Sequence, residues 1–339
     1  MPRQPSRRLF TFVAGMHHLS CALLWSVISV ALLLPGSAFA QSDYPNRPVR
    51  IIVPFTAGGV TDAVTRVFAN ELATRFGQPF VPDFRPGAST NIGAAAAATS
   101  PPDGYTLFVT TIASHALNKW SYRRLGFDPD AFVHVGMIGL LPSFMVVRPE
   151  APFQSVQEVA RAARESANGL SFGSHGNGGA NHLISELFRS RAGIKQLLHV
   201  PYKGARESSL DLIAGRIDFM IDGSHINLVQ AGRLRALAVA APQRWPTQPN
   251  IPTMAEAGFP EVTITTFFGL SAPAGTPAVI ADRLNEAMRA IAQNPEIEKR
   301  MLGLNVMPMA ATRQETADFV RAQSDKWAPV LKSLNIVFD

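Results

Sequence analysis

One unit of sequence recurs along this chain and restricts its fold more than any other feature. It is a short β-branched run, a glycine turn, and then apolar residues at helical spacing. The first copy is residues 49–62, V-R-I-I-V-P-F-T-A-G-G-V-T-D, followed by Ala63, Val64, Val67, Phe68 and Leu72. The run predicts a buried strand and the spacing of the later residues a helix. A strand that ends in Gly58-Gly59 and opens a helix gathers bare backbone N–H groups at a helix N-terminus. Orphan amides and the helix dipole both favour negative charge there. Taken alone, the turn fits a ligand-free βα connection equally well.

The same unit returns downstream. Residues 78–81 predict a second strand, and the polar loop 84–93 leads into a helix begun by residues 94–98. Residues 105–110 (YTLFVT) predict a strand that delivers Thr110, Thr111 and Ser114 at its carboxyl end. Residues 135–147 form a long apolar segment, and Ser155-Val-Gln-Glu158 opens a helix over 155–166 with a capping box. A new unit follows: strand end 170–173, loop 174–179, helix 180–191. Residues 198–204 are a further strand-to-loop step before a helix over 210–214. Strands are expected at 216–221, ending in Asp222-Gly223-Ser224, and at 234–240. An extended return follows at 262–272, with helices over 277–292 and 312–334. Strands alternating with helices argue for doubly wound parallel sheets, whose ligands bind beyond the carboxyl ends of the strands. Two sets of units joined by two crossings predict two domains, 41–142 plus 265–339 and 143–264, with a cleft between.

The first forty residues stand apart. Arg3, Arg7 and Arg8 precede an apolar run over 19–34, and Ser37-Ala38-Phe39-Ala40 ends in an A-x-A pattern. Residues 1–40 are expected to be a cleavable secretory signal peptide and the mature protein periplasmic. Ser6-Arg7-Arg8-Leu9-Phe10 is similar to a twin-arginine signal but lacks the basic residue usual shortly after it, so the export route stays open. Those three arginines supply half of the net charge of +6. With no basic-aromatic patch elsewhere, no nucleic-acid partner is expected. Cys21, the single cysteine, lies in the same segment. The mature chain therefore has no disulfide, thiolate nucleophile or cysteine-bound metal to draw on.

Several short motifs, in fixed order, carry a resemblance. They are Tyr44-Pro45, P-F-x-A-G-G-x-x-D from Pro54 to Asp62, R-P-G-A from Arg85, N-I-G-A from Asn91, and Pro102-Asp103-Gly104-Tyr105-Thr106. Then come G-N-G with His182-Leu183 downstream, H-V-P-Y-K-G from His199, L-R-A-L-A-V from Leu234 and P-T-M-A-E-A-G from Pro252. F-G-L-S-A-P-A-G-T-P from Phe268 and Lys326-Trp327 complete the series. Together they span residues 44–327, and the chain resembles the periplasmic solute-binding receptors of tripartite tricarboxylate transporters, the Bug family. The resemblance implies a type II periplasmic binding protein fold. In that fold, two doubly wound α/β domains are joined by two crossing segments and close on a ligand in the cleft. It further implies a small organic carboxylate ligand held by amides, hydroxyls and water, delivery to integral-membrane permease subunits, and no catalysis. A sensory receptor of the same shape, signalling to a membrane kinase, is the other class compatible with it. Carried onto this sequence, the first-domain contacts are Phe55, Ala57, Gly58, Gly59, Asp62, Gly87, Ala88, Ser89, Thr90, Thr110 and Thr111. The second domain would add Ser174, His175, Asn177, Gly178 and Asp222. Departures from the family pattern are Pro82-Asp83-Phe84, the Ser89-Thr90 pair in place of two glycines, and His175 where a small hydroxyl residue is usual.

The chemistry of single residues narrows the rivals. Asp62 in a first helical turn is worth about 0.3–1 kcal/mol through the dipole, and shaping the binding loop is its other possible task. Asp222 before Gly223 fits turn chemistry as well as ligand contact. His182 is expected to be structural, His199 and Tyr202 to pack beside the cleft, and Lys203 to be solvated. No cofactor or metal is expected, since no paired histidine or carboxylate spacing appears. G-S-H-G around Ser174 is not a nucleophile elbow, and Ala57-Gly58-Gly59 is not a dinucleotide fingerprint. The receptor is expected to be a monomer.

Overall fold

A computed structural model describes residues 44–338. The expected signal peptide lies outside the described residues. Strand β1 (Val49–Val53) leads to the helix Val60–Phe76, β2 (Phe80–Phe84) to the helix Asn91–Ala98, and β3 (Thr106–Thr111) to a wide helical turn, Ala113–Leu117. Strands β4 (Val133–Pro142) and β5 (Phe144–Val147) precede the helix Val156–Glu165. Strand β6 (Leu170–Ser174) leads to the helix Ala180–Arg191, and β7 (Leu197–Pro201) to the helix Ala205–Ile213. Strands β8 (Met220–Asp222) and β9 (Arg235–Val239) follow, then β10 (Thr265–Ala272) and the helices Ala278–Ala292 and Pro295–Gly303. The chain closes with β11 (Met307–Pro308) and the helix Arg313–Leu334.

The strands form two sheets of the same plan. The first runs β11-β4-β10-β3-β1-β2, with β1 parallel to both β2 and β3, and β10 antiparallel to β3 and β4. Strand β1, buried except at Arg50, lies between β3 and the edge, and Pro82 is confined to the edge strand β2, where a missing donor costs no ladder bond. In the second, β7 pairs with β6 in parallel, and β8 and β9 flank β5 in antiparallel fashion. A parallel bridge between Phe172 and Phe219 links these pieces, so the order is β7-β6-β8-β5-β9. Each sheet therefore has a parallel trio closed by one antiparallel strand that arrives from the other half of the sequence. Strand β10 fills that place in the first lobe and β5 in the second. The two crossings run side by side: Thr265 pairs with Pro142, and the Ala240 amide donates to the Ser143 carbonyl at 2.7 Å. This is the type II periplasmic binding arrangement of two α/β domains with a cleft between.

Several local expectations change in detail. The apolar run 135–147 is two strands broken at buried Ser143, because the chain leaves one sheet for the other there. The strand expected at 216–221 is only Met220–Asp222, since Gly215 turns the chain with φ 70°. The helix expected at 210–214 starts earlier, at Ala205, behind a polar first turn. At residue 155 the capping box is half formed. The Ser155 hydroxyl accepts from the Glu158 amide, while the Glu158 carboxylate reaches back to Gln154. The full reciprocal box stands at Thr312 and Glu315. Among the described residues no helix is long and apolar enough to cross a membrane.

Candidate functional site

Every parallel strand in both sheets ends at the cleft, so the connections that follow them make its walls. Three of the helices that open there start from glycine: Gly59, Gly179 and Gly204; the fourth starts from Thr90. None of the four has a side-chain cap. Of the helices that start elsewhere, three are capped by Ser155, Asn294 and Thr312, while the helix Ala278–Ala292 starts from Pro277 with no side-chain cap. Leaving four helix starts uncapped around one space leaves amide donors and dipole ends for whatever occupies it.

That space is a cavity of about 70 Å³. At about 10–15 Å³ per enclosed water, it suits a group of a few heavy atoms. Phe55, Thr56, Gly59, Val60, Ser89, Thr90, Thr111, Leu141, Thr266 and Phe268 line it from the first lobe. His175, Gly179, Ala180, Asn181, Gly204, Ala205, Asp222 and Ser224 line it from the second. No lysine or arginine is among the lining residues. Thr56, Asn181, Gly204, Ser224, Thr266 and Phe268 were not foreseen. The signal for Gly204 was its place between a strand and a helix; Thr266 and Phe268 belong to a strand whose last partner is set only by the fold.

The expected residues divide into groups. Phe55, Gly59, Ser89, Thr90, Thr111, His175 and Asp222 meet at the cavity. Gly87, Ala88 and Asn177 line an adjoining groove with Tyr122, Tyr202, Lys203 and Phe338. Ala57 and Gly58 lie on a separate recess facing Arg206 and Asn227. The Gly58 amide is already engaged, donating to Asp62 Oδ2 at 2.9 Å, while Asp62 Oδ1 accepts from Arg66 Nε at 2.6 Å. Asp62 thus fastens the turn beneath the site. Thr110 points into the sheet, its hydroxyl donating to Ser271 at 2.8 Å. The Gly178 amide donates to His182 Nδ1 at 3.1 Å. Ser174 Oγ lies 2.6 Å from His199 Nε2 and also contacts the Gly176 carbonyl, which locks the loop from within. That serine is fully buried and does not line the cavity, so the pair has no nucleophile to present.

Strain concentrates beside the cavity. Ala88, Ser89 and Thr90 follow one another at φ 45°, 48° and 79°, a left-handed run that costs non-glycine residues of order 1–3 kcal/mol each. Asn118 holds it, donating to the Ser89 carbonyl at 2.8 Å and to Asn91 Oδ1 at 2.6 Å. The Thr90 hydroxyl is buried with no partner.

Opposite, Asp222 Oδ2 accepts from Asn181 Nδ2 at 2.5 Å, and Oδ1 accepts from the Ser224 amide at 2.7 Å, with His225 Nδ1 at 2.8 Å. Burial alone would raise this carboxyl, but His175, His225 and the Ser224 amide outweigh it and hold it well below the ordinary range. His175 Nδ1 lies 3.8 Å from Asp222 Oδ2, and His175 Nε2 has no partner. Burial lowers the His175 imidazole, Asp222 pulls the other way, and His225 adds to the fall. At neutral pH the pair is a carboxylate beside a neutral imidazole, and the carboxylate rests chiefly on its Asn181 and Ser224 donors.

The lobes touch at the rim. Tyr122 Oη donates to the Asn177 carbonyl at 2.7 Å, and Phe338 from the chain's end packs on Tyr122 and His182, with centroids 5.4 and 5.6 Å apart. A second cavity, between the helix Arg313–Leu334 and residues 115–134, differs in kind. Its charges are paired, Lys119 with Asp130 at 2.8 Å, Arg313 with Asp282 at 2.7 Å and Arg321 with Asp318 at 3.5 Å.

Comparison with known proteins agrees with this fold. Residues 64–336 match the model of the tripartite tricarboxylate transporter family receptor. Protein BugT of Bordetella pertussis is 31% identical, the match covering 91% of this chain and 96% of that protein. A protein of R. palustris solved with adipate superposes with a TM-score of 0.83 at 35% identity, covering 87% of this chain and 99% of that one. MatC of Rhodopseudomonas palustris, solved with bound malate, gives 0.81 at 27% identity, covering 85% and 100%.

Proposed function

The chain belongs to the tripartite tricarboxylate transporter family of receptors, and from that premise we propose that it captures a small organic carboxylate in its cleft and hands it to membrane permease subunits. It is a solute-binding receptor of a periplasmic binding protein family and not an enzyme. The observation that carries the proposal is the convergence of four uncapped helix starts on a cavity with no basic side chain. A carboxylate head supplies acceptors that those amides lack, at sites where the dipole favours its charge. Relatives solved with adipate and malate support the ligand class. Closure follows from the ligand's extra contacts with the closed state, since Thr56 and Ser89 of one lobe meet Gly204 and Gly179 of the other at the cavity.

We also assign residues 1–40 to a cleaved export signal, residues 41–142 plus 265–339 to one lobe and residues 143–264 to the other, and a monomer to the working form. Thermal-shift and calorimetric screening of the mature protein against organic acids tests the function. A bound acid at a hundredfold its Kd stabilises the fold by about 2.7 kcal/mol. No stabilisation by any acid, alongside turnover of an ester, would overturn the proposal.

A further inference from the structure

We propose that His175 selects ligands with a second acidic group by taking up a proton at its free ring nitrogen as the cleft closes, so that a dicarboxylate binds together with a proton from solvent. The inference rests on the receptor function proposed above and concerns which acids the same cleft accepts.

The amides at the helix starts can hold one carboxylate, but the second lobe presents Asp222, among the described residues the only formally charged side chain on the cavity wall. Its oxygens already face Asn181, the Ser224 amide and His225, so it stays ionised when a ligand arrives. A second carboxylate placed there would sit near this charge with no lysine or arginine to balance it, an arrangement that like charges in a buried site do not tolerate. His175 is the group placed to resolve the conflict. Its side chain is 11% exposed, Nδ1 lies 3.8 Å from Asp222 Oδ2, and Nε2 is buried without a partner.

With Nδ1 turned toward Asp222, Nε2 is the ring atom left for the ligand. Without ligand, burial keeps the ring neutral. A carboxylate arriving at Nε2 would place the ring between two negative groups, which favours the imidazolium. The proton passes from a buffer acid or hydronium ion, whose bond to it breaks as the Nε2–H bond forms, and the imidazolium then donates from Nε2 to the ligand carboxylate while Nδ1 faces Asp222. The other groups facing the ring do not replace this role. His225, with its ring centroid 6.3 Å away, is engaged by Asp222. From the first lobe no titratable side chain lines the cavity. Tyr122, Tyr202 and Lys203 border the adjoining groove, and Lys203 is exposed. A monocarboxylate, held only at the amide end, leaves His175 neutral.

Isothermal titration near neutral pH in phosphate, HEPES and Tris tests this with succinate, glutarate and adipate against butyrate, valerate and hexanoate. The observed enthalpy of dicarboxylate binding should change with the buffer's ionisation enthalpy, with a slope approaching one proton per ligand. The monocarboxylates should show no slope. Dicarboxylate affinity should also fall as pH rises, up to about tenfold per pH unit. In His175→Gln the slope should vanish and dicarboxylate affinity drop at least about tenfold. A dicarboxylate that binds with no buffer dependence overturns the inference and leaves the receptor function standing. So does uptake that persists in His175→Gln. Should that variant fail to fold, the wild-type slopes decide alone. No binding by any of the acids overturns the receptor function and this inference with it.

Discussion

Thr90 shows at the scale of one residue how the site is prepared for a ligand. A β-branched residue at φ 79° is strained, and its hydroxyl is buried with nothing to bond. Asn118 keeps it there by tethering the Ser89 carbonyl and Asn91. A buried hydroxyl without a partner costs the unliganded protein about 1–3 kcal/mol, and a ligand oxygen would relieve that cost. Thr90→Val keeps the shape and deletes the oxygen. Its melting temperature should hold or rise, while carboxylate affinity should fall by about 1 kcal/mol, roughly fivefold to tenfold. Calorimetry on both proteins checks it, and unchanged affinity would remove Thr90 from the ligand contacts. Asp62 teaches the reverse. Its carboxylate takes the Gly58 amide four residues back and pairs with Arg66, so a residue within a binding motif serves the turn beneath the site.

At the scale of elements, the glycines that open the helices leave space as well as amides. A Cβ added to Gly204 would lie 2.5 Å from Thr56 Oγ1 on the other lobe, closer than side-chain carbons approach oxygen. The neighbourhood of Gly204 within its own lobe offers no such clash. Gly204→Ala should therefore leave the unliganded melting temperature nearly unchanged. It should weaken ligand binding by about 1–3 kcal/mol, because the methyl obstructs only the closed state. Restored affinity in Gly204→Ala combined with Thr56→Ala or Thr56→Gly, which remove Oγ1, would identify that contact, and full affinity in Gly204→Ala alone would exclude it. The elements themselves were readable wherever periodicity was clean: β1, β3, β6 and the helix Ala278–Ala292 fall within a residue or two of expectation. The helix Pro295–Gly303 was missed although Asn294 caps it and Pro295 stands at its first position, both recognised start signals. The first turn Ala205-Arg206-Glu207-Ser208 was hidden because its buried member, Ser208, is polar, so no apolar spacing marked it.

At the scale of the molecule, the second lobe's binding loop rests on an aromatic stack that the distant C-terminus completes. His182 and His199 lie face to face, centroids 3.9 Å apart at 5°, beside Phe172 and under Phe338. Burial lowers both imidazoles to about 4, and for His199 the neighbouring His182 adds to this. The unfolded chain, with histidines near their ordinary 6.5, binds protons that the native state refuses. The stability these residues contribute is therefore complete above about pH 6.5 and lost as pH falls toward 4. Melting temperature should drop across that window, and His199→Gln should flatten the drop. A wild-type profile that is level between pH 6.5 and 4 would contradict the assignment.

The sequence by itself determined the α/β class, the recurring strand, glycine turn and helix, and the loops from which a ligand would be held. Those are local matters: a period of two or of 3.6, a turn that needs glycine, an amide left bare at a helix start. Tertiary structure alone decided which of those loops meet. Ser89, His175 and Asp222 share one cavity because β5 and β10 each insert into the sheet of the other half. Gly58, Thr110 and Ser174 lie as close in sequence to the cavity as its true lining. Yet each has its polar group turned to Asp62, Ser271 or His199 by packing that no local pattern encodes.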